Sequence, residues 1–219
     1  MTNYSGKLIA FEGIDGAGKT TQAALLSEFL VNAGQSVITS KEPTDGYWGQ
    51  LIRTSATQGR LPIEEEIEAF VEDRKEHVKN LINPGLRSGF YILVDRYFLS
   101  TAAYQGARGV DPEALMRRNE GFAPLPDLAV ILEIEVETAL KRIEKRGYEK
   151  NLFELSQNLQ RVKTCFEELD RPYIARIDGS LHVEAVFSLL MDELIARSVI
   201  PRSFLTPERM HAAISTINQ

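Results

Sequence analysis

The chain has 219 residues, enough for one sizeable core but cramped for two full domains, and its 43% apolar content suits an ordinary globular protein. A formal net charge of −6 excludes the basic footprint of a general polynucleotide binder, although a local nest of backbone N–H groups and a few cations can still hold phosphates. Cys165 is the single cysteine, which rules out an internal disulfide or a cysteine-rich metal site and suits a reducing cytosol.

Met1–Lys7 is polar and does not read as a signal peptide, and no apolar run approaches the roughly 18–20 residues that span a bilayer. A cytoplasmic protein with no membrane partner is therefore expected. Leu8–Phe11 is the first predicted strand, and a helix follows over Thr20–Ala33. Ser36–Thr39 is the second strand, with helices over Gly49–Gln58 and Ile63–Ile82. Tyr91–Val94 is the third, then a helix over Pro112–Glu120, and Leu128–Leu132 is the fourth. Helices over Val136–Lys145 and Leu152–Leu169 precede a weaker fifth strand, Ile174–Ile177, and the last strong helix, Leu181–Arg197. This alternation predicts an α/β fold with a parallel sheet. Leu155, Leu159, Val162, Phe166 and Leu169 share one helical face, which reads as packing and not as a cofactor site. One domain is expected over residues 1–200, with Gly147–Asn151 as a charged, glycine-containing linker between helices. In the tail over 201–219, Arg209–Ile217 adds a helical turn or two and nothing that suggests chemistry.

Gly13-Ile14-Asp15-Gly16-Ala17-Gly18-Lys19-Thr20 matches the phosphate-loop pattern G-x-x-x-x-G-K-[ST] in full, with Thr21 next in the helix. The glycines let consecutive N–H groups turn toward one anion-sized hollow, and the helix N-terminus adds its dipole. Lys19 then reaches the outer phosphates of a nucleoside triphosphate, and the Thr20 hydroxyl is placed to ligate Mg²⁺. A glycine-rich turn with a chance lysine is the bland alternative; the strand before and the helix after weigh against it. The chain lacks the Asn-Lys-x-Asp tetrapeptide that reads guanine, so a GTPase switch is not expected. Asp95-Arg96-Tyr97 closes the third strand. Asp95 can hold Mg²⁺ through water, and Arg96 falls at the carboxyl edge of the sheet, where α/β proteins bind ligands.

Together these motifs resemble the thymidylate (dTMP) kinase family. The matching pieces are Phe11–Gln22, Glu42-Pro43, Phe70 with Arg74, Asp95–Gly106 and Pro126-Asp127, spread over roughly Lys7–Ile195. The resemblance implies a three-layer P-loop fold with a five-stranded parallel sheet, a lid near 142–154 and a homodimer. It also implies γ-phosphate transfer from ATP–Mg²⁺ to dTMP, with small-molecule nucleotides as the only nucleic-acid-like partners. Carried over by position, Asp15 stands near the acceptor sugar and phosphates, and Arg96 binds phosphate. Phe70 stacks on the base, Arg74 reads the pyrimidine edge, and Thr101 is a second base reader. Tyr104 crowds the sugar 2′ carbon, while Glu42, Pro43, Arg53 and Gln105 complete the acceptor site. The physics agrees in part: Phe70 and Arg74 are four apart on a helix, and a guanidinium, which only donates, favours a carbonyl such as thymine O4.

The chain also departs from the family pattern. Lys41 stands where relatives often have arginine before Glu-Pro, and Thr44–Trp48 lacks an arginine that some relatives carry. Gly16 occupies the place of a P-loop arginine, and Leu152 that of a lid arginine. The transition-state cation is therefore expected from the lid, from Arg142, Arg146 or Lys150, so that Lys19, Asp15, Arg96, Arg146 and Arg142 form the catalytic set. A kinase of another pyrimidine monophosphate (dUMP, UMP/CMP) and a non-catalytic nucleotide-binding regulator remain as alternatives.

Overall fold

The structure, a computed structural model, describes residues 4–145 and 152–215. Five strands form one sheet: β1 (Lys7–Glu12), β2 (Val37–Lys41), β3 (Tyr91–Asp95), β4 (Leu128–Glu133) and β5 (Ile174–Asp178), in the order β2-β3-β1-β4-β5. Every pairing is parallel, as the α/β alternation predicts. The central strands are covered on both faces, so β1 and β4 read as unbroken apolar runs. The edge strands β2 and β5 are only half-covered, which is why their sequence signal is weaker.

Helices lie on both faces: α1 (Lys19–Asn32), α2 (Tyr47–Gln58), α3 (Ile63–His77), α4 (Asn83–Arg87), α5 (Phe98–Gly106), α6 (Pro112–Glu120), α7 (Val136–Glu144), α8 (Leu152–Glu168), α9 (Val183–Ala196) and α10 (Pro207–Ser215). Leu159, Val162, Phe166 and Leu169 are buried and Leu155 packs against them, so that stripe is core. Phe29 of α1 meets Phe187 of α9 edge to face, their ring centroids 6.2 Å apart. The bounds of α6 follow from local chemistry: the Asp111 side chain caps the helix by accepting from the Glu113 N–H, and Pro112 takes the first helical position.

The helix expected over Ile63–Ile82 keeps α geometry only to His77; Val78–Ile82 widens into a π turn before α4 continues. Helix α5 has no counterpart among the predicted elements. Its residues Phe98–Ala103 are all buried, so they carry no amphipathic period to detect. The tail helix α10 packs against α1 and buries Ala213. The linker expected at Gly147–Asn151 lies outside the described residues. Among those described, no helix is long and apolar enough to cross a membrane.

Candidate active site

The loop between β1 and α1 needs its glycines. Gly13 has φ +127°, and a Cβ there would meet the Leu132 carbonyl at 2.6 Å. Gly16 has φ +85°, and its Cβ would meet the Ala139 carbonyl of α7 at 2.7 Å. Backbone packing thus gives a reason why this chain has no arginine at position 16. Lys19 is buried, and its ammonium donates to the carbonyls of Gly13 and Ile14 at 3.0 and 2.9 Å, leaving one of three N–H groups for a ligand.

Burial, helped by the neighbouring Arg96 charge, lowers the Lys19 pKa from 10.5 to about 8, against the pull of Asp15, Asp95 and Glu12. Raising pH through that value neutralises the cation in the free enzyme. The kcat/KM for the triphosphate is therefore expected to fall with an apparent pKa near 8. With phosphates bound, their negative charge holds the proton on Lys19, so kcat should stay flat over the same range. A kcat/KM profile with no break there would contradict this assignment.

Asp95 ends β3 opposite Phe11 of β1, which brings it beside the start of α1. The Thr20 hydroxyl donates to Asp95 Oδ2 at 2.5 Å. Among the described residues no group of three or more His, Cys, Asp or Glu side chains could cage a metal alone. One hydroxyl and one carboxylate fit Mg²⁺ instead, because that ion keeps waters and takes its remaining oxygens from substrate phosphates.

Arg96 has φ +69°, a backbone strain that an arginine tolerates only where its surroundings enforce it. Its Nη2 donates to Asp15 Oδ1 at 2.5 Å and to the Tyr104 hydroxyl at 3.1 Å, and its Nη1 to Ser100 Oγ at 3.2 Å. Tyr104 in turn donates to Asp15 Oδ2 at 3.0 Å, and its ring lies 4.8 Å from the guanidinium carbon. Burial opposes ionisation of Asp15, but Arg96 and Lys19 outweigh it and hold the carboxyl below its usual range. Burial likewise works against the Arg96 charge, but Tyr104 and Asp15 more than offset it and raise its pKa.

Behind this group lies Glu12, fully buried, which accepts from Ser100 Oγ and, at 2.9 Å, from the Tyr97 N–H. Burial pushes its carboxyl upward, against those two hydrogen bonds and the charges of Arg96 and Lys19. Glu12 was not among the sequence-predicted site residues. The signal available was a carboxylate ending an otherwise apolar central strand, where a charge needs a reason.

A cavity of about 270 Å³ opens on the other side of Asp15 and Arg96. Phe70, Arg74, Thr101 and Tyr104 line it together, as do Glu42, Pro43, Arg53 and Gln105. Arg74 is no surface residue: it is 1% exposed and bonds Glu42, Thr101 and Asn119. The Gln105 amide is engaged with Glu66 and Arg108, and Glu66 also binds Arg60. Glu66 and Arg60, absent from the sequence reading, line the cavity, and Arg108 holds Glu66 from outside it. Arg53 sits at the rim, held by the Pro43 carbonyl and Asp45.

A second cleft, about 260 Å³, lies beside the phosphate loop and is lined by Gly16, Ala17, Gly18, Thr21 and Arg142 among others. Arg142 donates to the carbonyls of Gly16, Ala17 and Gly179 at 3.3, 3.5 and 3.0 Å. The structure thus places it on the loop and not at the cavity lined by Phe70 and Arg74. Arg146 and Lys150 lie outside the described residues.

A polar hollow of about 110 Å³ is bounded by Asp15, Gly16, Gly18, Lys19, Thr20, Asp95 and Arg96, and it shares Asp15 and Arg96 with the 270 Å³ cavity. A phosphate loop joined in this way to a second nucleotide-sized cavity defines the class of P-loop nucleotide kinases. The Thymidylate kinase family profile matches residues 11–190. The chain is 46% identical over 192 residues to a thymidylate kinase of Akkermansia muciniphila, covering 88% of this chain and 93% of that one. It is 49% identical over 188 residues to a thymidylate kinase of Desulfotalea psychrophila (85% and 93%) and over 181 residues to one of Xanthomonas euvesicatoria (83% and 80%). The chain belongs to the thymidylate kinase family.

Proposed function

We propose that this protein transfers the γ-phosphate of ATP to dTMP, giving dTDP and ADP. The observation that carries the reading is the shared wall: Asp15 and Arg96 line both the phosphate hollow and the acceptor cavity. An acceptor phosphate lying against Arg96 is thereby aimed at the end of a triphosphate held by the loop, which is the positioning that phosphoryl transfer requires. Arg96 keeps its Nε–H and one Nη1–H for that phosphate, since its other donors are engaged.

The loop N–H groups and Lys19 hold the donor phosphates and neutralise the charge passing to the leaving group. Thr20 and Asp95 would hold Mg²⁺ against those phosphates, where the ion supplies charge neutralisation. Arg142 braces the loop against Gly179, and Arg146 is the lid cation of this proposal. In the acceptor cavity Phe70 supplies a stacking face. Arg74 and Thr101 read the base, and the Tyr104 ring, fixed by Asp15 and Arg96, leaves no room for a 2′-hydroxyl. Arg53 closes the rim.

Supplying purified protein with ATP, Mg²⁺ and dTMP tests the proposal. ADP and dTDP should appear in equal amounts and only when dTMP is present; ADP release indifferent to dTMP would favour a non-transferring nucleotide binder. The same proposal makes the enzyme a cytoplasmic homodimer, and sedimentation at the mass of one chain would contradict the dimer.

A further inference from the structure

Arg74 is aimed from behind. It lies three residues before His77 at the end of α3, so both side chains leave the same helical face. Both are buried, their side chains 1% and 3% exposed, and Glu42 lies between them. Glu42 Oε2 accepts from Arg74 Nε at 2.9 Å and from Nη2 at 2.6 Å, while Oε1 is 2.9 Å from His77 Nδ1. The other ring nitrogen, Nε2, is 2.8 Å from Ser40 Oγ on β2. Ser40, His77, Glu42 and Arg74 thus form one chain from the edge strand to the acceptor cavity. Its first two members do not line that cavity.

The proton positions follow from donor chemistry. A carboxylate only accepts, so Nδ1 carries the hydrogen and Nε2 receives the Ser40 hydroxyl. Arg74 has five N–H groups. Two go to Glu42, one to Thr101 and one to Asn119, which leaves a single Nη1–H for a ligand.

We propose that His77 is the positioning residue of the acceptor site: it fixes the Glu42 carboxylate and, through it, aims the one free Arg74 N–H at a pyrimidine carbonyl. This rests on Arg74 being the base reader. Without the ring, Glu42 Oε1 becomes an unpaired buried acceptor and the carboxylate can turn toward another partner, taking the guanidinium with it.

The test uses the full chain with His77→Ala, His77→Asn and Arg74→Ala, measuring kcat and KM for dTMP and dCMP. His77→Ala should raise the dTMP KM about tenfold, the cost of one hydrogen bond to a charged group, and cut the dTMP-over-dCMP preference by about the same factor. Its kcat should stay within about twofold of wild type, as for lost ground-state binding. His77→Asn, whose amide nitrogen falls near the Nδ1 position, should recover most of the loss. Nitrogen NMR of the wild-type ring should show the Nδ1–H tautomer.

Should His77→Ala leave KM and preference intact while Arg74→Ala destroys both, the positioning role falls and the base reading stands. Should Arg74→Ala itself leave the preference intact, the base reading falls and the role of His77 with it. If His77→Ala does not fold, the other two readouts decide. Failure of His77→Asn to keep wild-type preference, or an Nε2–H tautomer, would overturn the proposal.

Discussion

Replacing Lys19 with alanine is expected to lower kcat by at least about a thousandfold while the protein stays folded. Lys19 is the cation inside the loop, and its ammonium already lies against the carbonyls of Gly13 and Ile14. Arg96 is committed to Asp15, Ser100 and Tyr104, and Arg142 to the loop carbonyls, so neither is free to take its place. The sign of the stability change separates lost chemistry from lost structure. The folded-state pKa of Lys19, about 8, lies below the ordinary 10.5, so the protonated form is disfavoured by folding. At neutral pH the buried charge costs stability, and that cost fades as pH rises from the lower value to the higher. Removing it should leave the unfolding temperature at pH 7 unchanged or raised. A folded Lys19→Ala enzyme with near-normal kcat would contradict the role given to the loop.

Arg96→Lys is expected to lower kcat/KM for dTMP by at least about a hundredfold, with a much smaller effect on the KM for ATP. A lysine keeps the charge but not the planar fork that reaches Asp15, Tyr104 and Ser100 together while presenting free N–H groups to a phosphate. Arg96→Gly should lose at least as much activity yet fold well, because glycine accepts the φ of +69° without strain. Should Arg96→Lys retain more than about a tenth of the wild-type kcat/KM for dTMP, the shared wall would not be the point where the two substrates meet.

The phosphate loop was legible because its chemistry is local: six consecutive residues between a strand and a helix fix where the N–H groups point. The central strands were legible for a related reason, since burial on both faces leaves an unbroken apolar run. Helix α5 was not, because a segment buried on every side has no period. The resemblance supplied Phe70, Arg74, Thr101 and Tyr104, and the structure brings all four to one cavity.

What joins them is long-range and leaves no spacing to read. Glu42 and Arg74 are 32 residues apart, Arg74 and Asn119 are 45 apart, and Glu12 and Ser100 are 88 apart. Arg142 shows the converse. Its place in the basic last turn of a helix pointed to a lid cation, whereas its guanidinium is tied to Gly16, Ala17 and Gly179. Only the folded contact with the loop reveals that bracing position.

The most direct test of the central claim is the kcat/KM of the wild-type enzyme for dTMP, dUMP, dCMP and UMP at saturating ATP–Mg²⁺. In the proposed base reading, the one remaining Arg74 donor would pair with thymine O4 and oppose the cytosine amine. A site built around such a bond discriminates by about a hundredfold or more when the bond cannot form. The fixed Tyr104 ring should exclude UMP through its 2′-hydroxyl. The expected result is dTMP first, with dCMP and UMP each lower by about two orders of magnitude or more. If dCMP or UMP is used as well as dTMP, the cavity beside Arg96 does not read thymine.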